Sequence, residues 1–295
     1  MTNALSPATA LSRARRRRFR LKKSGSALIA YAVLAILLVW SVIPLVVMIS
    51  TSFKPASEIF RIPPSLIPEV FTFENYASVF TSSNMPLALW NSMLVGLLVA
   101  AVTMILGCVT GYALARIRFP GSGGIAVGLL LGQLLPVTVL LLPLYQLVTA
   151  LKMVDTIPGV ALTHITFVLP LVTWMANSTF RGVPIELEEA AIIDGCSRIQ
   201  AVWTVVLPVA APGIAALGIF TFLQSWNEFL FASVITVSTR SKTAPVALTD
   251  FAGQFSTDWG ATMAAATVIA LPVAIAFMFV QRYFVRGMAA GAVKG

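Results

Sequence analysis

The sequence predicts an all-α polytopic membrane protein with six transmembrane helices, and three observations carry that prediction. Of 295 residues, 58% are hydrophobic and only 11% charged, with a mean hydropathy of +0.90. That is more apolar surface than a soluble domain could cover, so the bilayer is the solvent for much of the chain. Apolar runs long enough to span recur six times between short polar breaks. The basic residues also gather on alternate breaks, as in a chain that threads back and forth through a membrane.

The elements follow in order. Residues 1–26 form a basic tail, expected to be disordered because its composition cannot bury a core. Eight of the twenty Lys and Arg residues lie between Arg13 and Lys23. Directly before an apolar run, such a segment sets orientation and meets anionic lipid. A nucleic-acid surface is disfavoured, since Phe19 is the only aromatic interleaved. Spans are expected at 27–50, 89–115, 125–147, 159–177, 209–235 and 262–283, within one membrane domain covering 27–295. At about 1.5 Å per residue each can cross a hydrocarbon core of about 30 Å. The first run is too long for a signal-peptide core and lacks a small-residue cleavage site, so it is expected to stay as an anchor. Pro136 and Pro143 should kink the third span and shape a cavity. Gly96, Gly107, Gly111 and Ala264 to Ala266 suit close helix packing.

Orientation follows from charge. With both termini inside, the cytoplasmic side holds the tail, Arg116, Arg118, Arg181, Arg198, Arg282, Arg286 and Lys294. The outside holds only Lys54, Arg61, Lys152, Arg240 and Lys242. Segment 186–208 is then cytoplasmic, and loops 51–86 and 236–260 face outward with Trp259 and most remaining acids. Cys108 and Cys196 are far apart and His164 is the only histidine, so neither a disulfide nor a metal site is expected. No paired acid–base constellation points to an enzyme.

The break 186–208 is the most informative stretch. Pro184 suits a first helical turn, and Glu186, Glu188 and Glu189 meet the positive end of the helix dipole. Ala190 and Ala191 favour helix and keep a low profile for an approaching surface. Gly195 fits the left-handed residue that ends such a helix. Ser197 can cap a second helix, expected over 198–206 and stopping at Leu207-Pro208. Two readings remain on physics alone: an amphipathic connector on the headgroups, or a coupling helix that plugs into a soluble partner. Three glutamates in four residues would be repelled by an anionic leaflet, which weighs against the first.

Glu188-Glu189-Ala190-Ala191-Ile192-Ile193-Asp194-Gly195, followed by Val205-Val206-Leu207-Pro208, resembles the EAA motif of bacterial ABC importer permeases, with Val205 where isoleucine is usual. Ser52-Phe53-Lys54, Asn91-Ser92, Gly111-Tyr112-Ala113-Leu114-Ala115-Arg116, Trp226-Asn227-Glu228-Phe229 and Gly291-Ala292-Val293-Lys294-Gly295 follow the same family in order. The chain from 27 to 295 is similar to the shorter, six-span permease of the maltose-type, carbohydrate-uptake heterodimer. The resemblance implies a coupling helix seated on one of two cytoplasmic ATP-binding subunits, a second, longer permease and an extracellular sugar-binding protein. Its coupling residues would be Glu188, Glu189, Ala190, Ala191, Asp194, Gly195, Arg198, Leu207 and Pro208. Glu189 would meet a basic residue of the ATPase and Gly195 would make the bend. The sequence holds no glycine-rich phosphate loop followed by Lys and Ser or Thr. ATP and magnesium would thus be used by the partner subunits, with no cofactor on this chain and no catalysis by it.

Polar residues inside spans are candidates for the translocation path: Gln224, Ser225, Asn227 and Glu228. Gln224 and Glu228, four apart, would share a face of a continuous helix, with Trp226 available for a sugar ring. A charge at mid-span costs about 2.5–3.5 kcal/mol on insertion scales, so Glu228 serves either a cavity lining or, the preferred reading, a helix–helix polar clamp packing this subunit against its partner permease. His164 is expected to make an interhelical hydrogen bond; Gln133 and Gln146 are open to either role. The rival class is an ATPase-independent secondary transporter with Glu228 as its coupling carboxylate.

Overall fold

A computed structural model describes residues 7–117, 119–253 and 257–292, with side chains from Ile29 to Met278 inside those stretches. Arg118, Val293 to Gly295 and the first six residues of the tail lie outside them. Among the described residues there is no strand, only one antiparallel bridge between Ala252 and Thr257.

Helix α1 (Pro7–Ser52) carries the first span and continues back through the basic segment. Residues 7–26, expected to be irregular, are therefore helical. Ala, Leu, Arg and Lys dominate there, all good helix formers, and no proline interrupts between Pro7 and Pro44. From Ile29 to Val47 every side chain of α1 is exposed, and the helix leans on the bundle through α13. Two short helices, α2 (Ala56–Ile59) and α3 (Glu74–Thr81), follow in the first loop.

That loop is held by named contacts. Asn75 Nδ2 donates to the carbonyls of Ser52 (2.9 Å) and Lys54 (2.8 Å), and Ser52 Oγ lies 2.8 Å from Tyr76 Oη. Phe53 stacks near Tyr76 and edge-on to Phe73, with centroids 5.0 and 5.5 Å away. Glu58 accepts from Ser65 Oγ at 2.7 Å and from the Glu69 N–H at 3.0 Å. These hydrogen bonds, the Ser65 one foremost, hold its carboxyl below the usual range.

Helix α4 (Met85–Arg116) is the axis of the bundle. Against it lie α7 (Ile157–Arg181) and α10 (Leu207–Trp226). The close packing expected at three glycines is present. A Cβ on Gly96 would meet the Phe222 ring at 2.8 Å, on Gly107 Val172 Cγ1 at 3.1 Å, and on Gly111 Ala176 Cβ at 2.7 Å. Ala264 and Ala265 are fully buried and Ala266 partly so.

Between α4 and α7 the third span departs from the expected continuous helix over 125–147. It is two helices, α5 (Ser122–Leu134) and α6 (Val137–Ala150), bent by 102°. Pro136 causes the break, since it lacks an N–H and forces Leu135 out of the helical region, to ψ 129°. Pro143 sits inside α6 without ending it. Among the described residues five helices are long and apolar enough to cross a membrane, and the α5–α6 pair makes a sixth when counted as one span.

After α7 come α8 (Ile185–Ile193) and α9 (Arg198–Ala201). A π-turn, Val202–Val206, joins α9 directly to α10. The expected stop at Leu207-Pro208 is absent: the helix runs unbroken from Arg198 to Trp226. A proline clashes with the carbonyl four residues back, and the wider π-turn just upstream gives Pro208 room. The fifth span is also not one helix to 235. It ends at Trp226, and α11 (Leu230–Ile235) begins after three intervening residues. Helix α12 (Ala244–Leu248), a 3₁₀ turn (Thr249–Phe251) and α13 (Trp259–Ala292) are the remaining described elements.

Opposite the α8 end, α12 and the turns around it are pinned to the start of α4. Asn91 Nδ2 donates to the carbonyls of Arg240 (3.0 Å) and Lys242 (2.9 Å), and Ser92 Oγ accepts from the Ala244 N–H at 2.8 Å. Asp155 ties in the α6–α7 turn. It accepts from the N–H groups of Val237 and Ser238, both at 2.9 Å, and from the hydroxyls of Ser238 and Ser241. The Ser241 hydrogen bond leads in holding this carboxyl far below the usual range. A depressed carboxylate contributes stability that is complete above its unfolded pKa, about 3.9, and is lost as pH falls through the lower folded value. The thermal midpoint of the detergent-purified protein should thus drop below about pH 4. Asp155→Asn should lower it at neutral pH and flatten that acid limb; an unchanged limb would contradict the assignment.

Candidate functional site: an anchored elbow and a broken span

The α8–α9 elbow is built from its backbone outward. Gly195 has φ 96°, the left-handed conformation expected of it. The Cys196 N–H reaches the Ala191 carbonyl and the Gly195 N–H that of Ile192, both at 3.0 Å. Together these are a Schellman closure, which satisfies carbonyls the helix end would orphan. Ser197 caps α9 as expected, in a reciprocal capping box with Gln200: Ser197 N–H to Gln200 Oε1 is 2.8 Å and Gln200 N–H to Ser197 Oγ 3.4 Å.

The structure separates residues that the sequence reading grouped. Glu188, expected on the partner-facing side, is turned inward. Its Oε1 accepts from Tyr112 Oη at 2.6 Å and its Oε2 from Arg116 Nε at 3.1 Å. Arg116 Nη2 also donates to the Val183 carbonyl at 2.7 Å, and Tyr112 packs edge-on to Phe180 at 5.6 Å. The side chains of Arg116 and Glu188 are only 9% and 8% exposed. Ala191 shares this buried face, one turn on. Glu189, Ala190, Asp194, Gly195, Arg198 and Pro208 are exposed, and Leu207 is half-buried. The elbow also exposes Ile193 (84%), Ile199 (73%) and Trp203 (69%). It is thus an acidic and apolar surface fixed to the end of α4 by a buried ion pair.

The second polar group lies at the α10–α11 break. Glu228 does not share a helical face with Gln224, because the helix has ended. Its carboxylate instead folds forward to cap α11, accepting from the Phe231 N–H at 2.8 Å and the Ala232 N–H at 3.0 Å. His164 in α7, fully buried, brings Nε2 to 2.8 Å from Glu228 Oε2, off the line of the ring N–H. Its Nδ1 lies 2.8 Å from Ser225 Oγ. The interhelical bond expected of His164 is made to Ser225, and Glu228, expected to clamp this subunit to a partner permease, instead joins elements of this chain, binding α7 to the break. Ser225 is buried within it, while Gln224 and Asn227 are exposed. Trp226 is buried and donates Nε1–H to the Ile269 carbonyl at 3.1 Å, so it is not free for a sugar ring. Among the described residues no group of His, Cys, Asp and Glu could hold a metal ion.

A bundle of spanning helices without strands among its described residues, with an anchored polar elbow between two spans, is the architecture of a polytopic membrane protein. Residues 104–290 match the family of binding-protein-dependent transport system inner membrane components, and the chain belongs to that family of multi-pass inner membrane proteins. It is 37% identical over 268 residues to the trehalose transport system permease protein SugB of Mycobacterium tuberculosis, covering 90% of this chain and 97% of that one. It is 35% identical over 260 residues to the diacetylchitobiose uptake system permease protein DasC of Streptomyces coelicolor, covering 88% and 94%. Its fold matches a chain of a crystal structure of a bacterial ABC transporter involved in the import of alginate, with a TM-score of 0.73 at 19% identity, covering 96% of this chain and all of that one.

Proposed function

We propose that this chain is the shorter permease of a heterodimeric, ATP-driven importer that moves a carbohydrate into the cell. Its relatives SugB and DasC are named for a disaccharide each, trehalose and diacetylchitobiose. A further fold neighbour is an alginate ABC transporter in complex with an alginate pentasaccharide-bound periplasmic protein. In this reading both termini are cytoplasmic, and a sugar-binding protein docks on loops 51–86 and 236–260. Two separate cytoplasmic subunits bind and hydrolyse ATP with magnesium. This chain carries neither catalysis nor cofactor.

The single observation that carries the reading is the elbow. A surface of Ile193, Ile199, Trp203 and exposed Glu189, anchored by buried Glu188, is fit to receive an ATP-binding subunit. In this reading Glu189 meets a basic residue there and the bend at Gly195 fixes the angle between α8 and α9. Movement of the elbow then switches the permease pair between inward- and outward-facing forms.

The test is ATP hydrolysis by the reconstituted complex, with wild-type chain and with Glu189→Lys. Like charges brought together across an interface cost several kcal/mol, so binding-protein-stimulated hydrolysis should fall by about tenfold or more. Membrane insertion and assembly with the second permease should persist. Unchanged stimulation would make the elbow a surface connector and reopen the ATPase-independent reading.

A further inference from the structure

The first loop after α1 is built inside out. Its charged groups lie at its centre, where Lys54 and Glu58 are buried. Lys54 Nζ donates to the Ser65 carbonyl, and Glu58 accepts from Ser65 Oγ at 2.7 Å and from the N–H groups of Glu69 (3.0 Å) and Val70 (3.4 Å). The large apolar side chains are on the outside. Phe60, Ile62, Leu66, Ile67, Phe71 and Phe73 are each between 65% and 91% exposed. Across 60–73 the charged residues are Arg61 and Glu69, and they pair with each other. Pro63, Pro64 and Pro68 carry no N–H that would need a partner. A segment facing water is turned the other way round, with its charges outside and its aliphatic groups and rings inside.

The depth of the segment follows from its ties to α1. Ser50 Oγ donates to the Leu66 carbonyl, and the Thr72 N–H to the Phe53 carbonyl at 2.9 Å. The spanning part of α1, Ile29–Ser52, has 24 residues, and about 20 fill a hydrocarbon core of about 30 Å. Ser50, with the Leu66 backbone beside it, therefore lies at the boundary between hydrocarbon and headgroups. The helix that carries the segment stands at the rim of the bundle, leaning on α13, with its side chains exposed from Ile29 to Val47. The apolar surface of 60–73 continues the surface of that span. At such a boundary apolar side chains sink about 5–10 Å into the leaflet, whereas in water a contiguous patch of this kind is left uncovered only rarely.

We propose that segment 60–73 is an interfacial strap whose occupant is the membrane leaflet at the exit of α1. Ile62, Leu66 and Ile67 lie among the upper acyl chains, and the Arg61–Glu69 pair lies at headgroup level. The strap fixes the depth of the α1 exit. The part of this loop open to a soluble partner is then α3 and the turn after it, where Thr81, Ser82 and Asn84 are exposed. This placement requires only that α1 spans the bilayer, whatever solute the permease carries.

Single cysteines are introduced by Ile62→Cys, Ile67→Cys and, as a water-facing control, Ser82→Cys, in a Cys108→Ala, Cys196→Ser background. All three side chains are exposed, so their replacement leaves the fold intact. The complex purified through this chain is labelled with a neutral fluorophore and set in lipid nanodiscs, which open both membrane faces to reagents. Lipid carrying a doxyl group high on its acyl chain should quench the label at 62 and 67 more strongly than at 82, and aqueous iodide should quench most at 82. On unlabelled samples a charged methanethiosulfonate should react about tenfold more slowly at 62 and 67 than at 82, the factor given by one unit of thiol pKa raised by apolar surroundings.

Doxyl quenching at 62 and 67 no stronger than at 82, or equal thiol reactivity at the three positions, would overturn the strap. Iodide then identifies the other occupant. Strong iodide quenching at 62 and 67 would leave the surface in water, open to a soluble partner, and weak quenching would put it beneath a second permease.

Discussion

Glu188→Ala is expected to cost the purified protein about 3 kcal/mol, the lower end of what removing one partner of a buried ion pair costs. The charge left behind belongs to Arg116, which is 9% exposed and has Glu188 as its side-chain ion-pair partner. Tyr112 would lose its acceptor as well. Glu189→Ala, one residue on and exposed, should change stability by no more than about 0.5 kcal/mol. Thermal unfolding in detergent compares the two directly. Adding Arg116→Leu to Glu188→Leu should recover part of the loss, because it removes the stranded charge along with its partner. Equal losses from Glu188→Ala and Glu189→Ala would refute the anchor.

The second large effect is at the α4–α7 crossing. Gly111→Val should destabilise by about 2–3 kcal/mol, the range for overpacking a close contact. Even a Cβ there would lie 2.7 Å from Ala176 Cβ and 2.9 Å from the Asn177 backbone nitrogen. Backbone cannot retreat as a side-chain tip can, so the helices must part and carry Tyr112 and Arg116 away from Glu188. Gly111→Ala with Ala176→Gly should be milder than Gly111→Ala alone, since the second change clears the nearest atom. Gly124→Ala, where a Cβ meets nothing within 4 Å, should be neutral or stabilise α5 slightly. A Gly111→Val protein as stable as wild type would mean that the helices do not meet there.

The fold class, the number of spans and the Gly195–Ser197 elbow were legible in the sequence because each rests on local physics. Hydropathy marks the spans, a glycine marks the left-handed turn, and a serine three residues before a glutamine marks the cap. What escaped depended on neighbours remote in sequence. Three glutamates crowd the first turns of α8, and only Tyr112 and Arg116, some seventy positions earlier, decide which one is buried. A signal was present: Glu188 shares a helical face with small, buried Ala191, which marks that face as inward. Glu228 escaped for a similar reason. Hydropathy reads a carboxylate in an apolar run as a cost, yet here it ends one helix, caps the next and meets His164. The helix through Pro208 escaped because its π-turn carries no composition of its own. The contacts of Asn91 and Ser92 with the turn before α12 join residues about 150 positions apart, which no local pattern encodes. The Gly291 to Gly295 match lies partly beyond the described residues.

The unbroken helix from Arg198 to Trp226 has a mechanical consequence. Its 29 residues make a strut about 43 Å long, with the elbow at one end and the Asn227 break at the other. A flexible joint at Leu207-Pro208 would dissipate a push within a turn or two. A strut works as a lever arm instead: a tilt of about 10° about the elbow sweeps its far end through about 7 Å, more than one helical pitch. Without a hinge at the proline, a small rotation at the elbow would reach the α10–α11 break as a displacement of about 7 Å rather than fading along the helix.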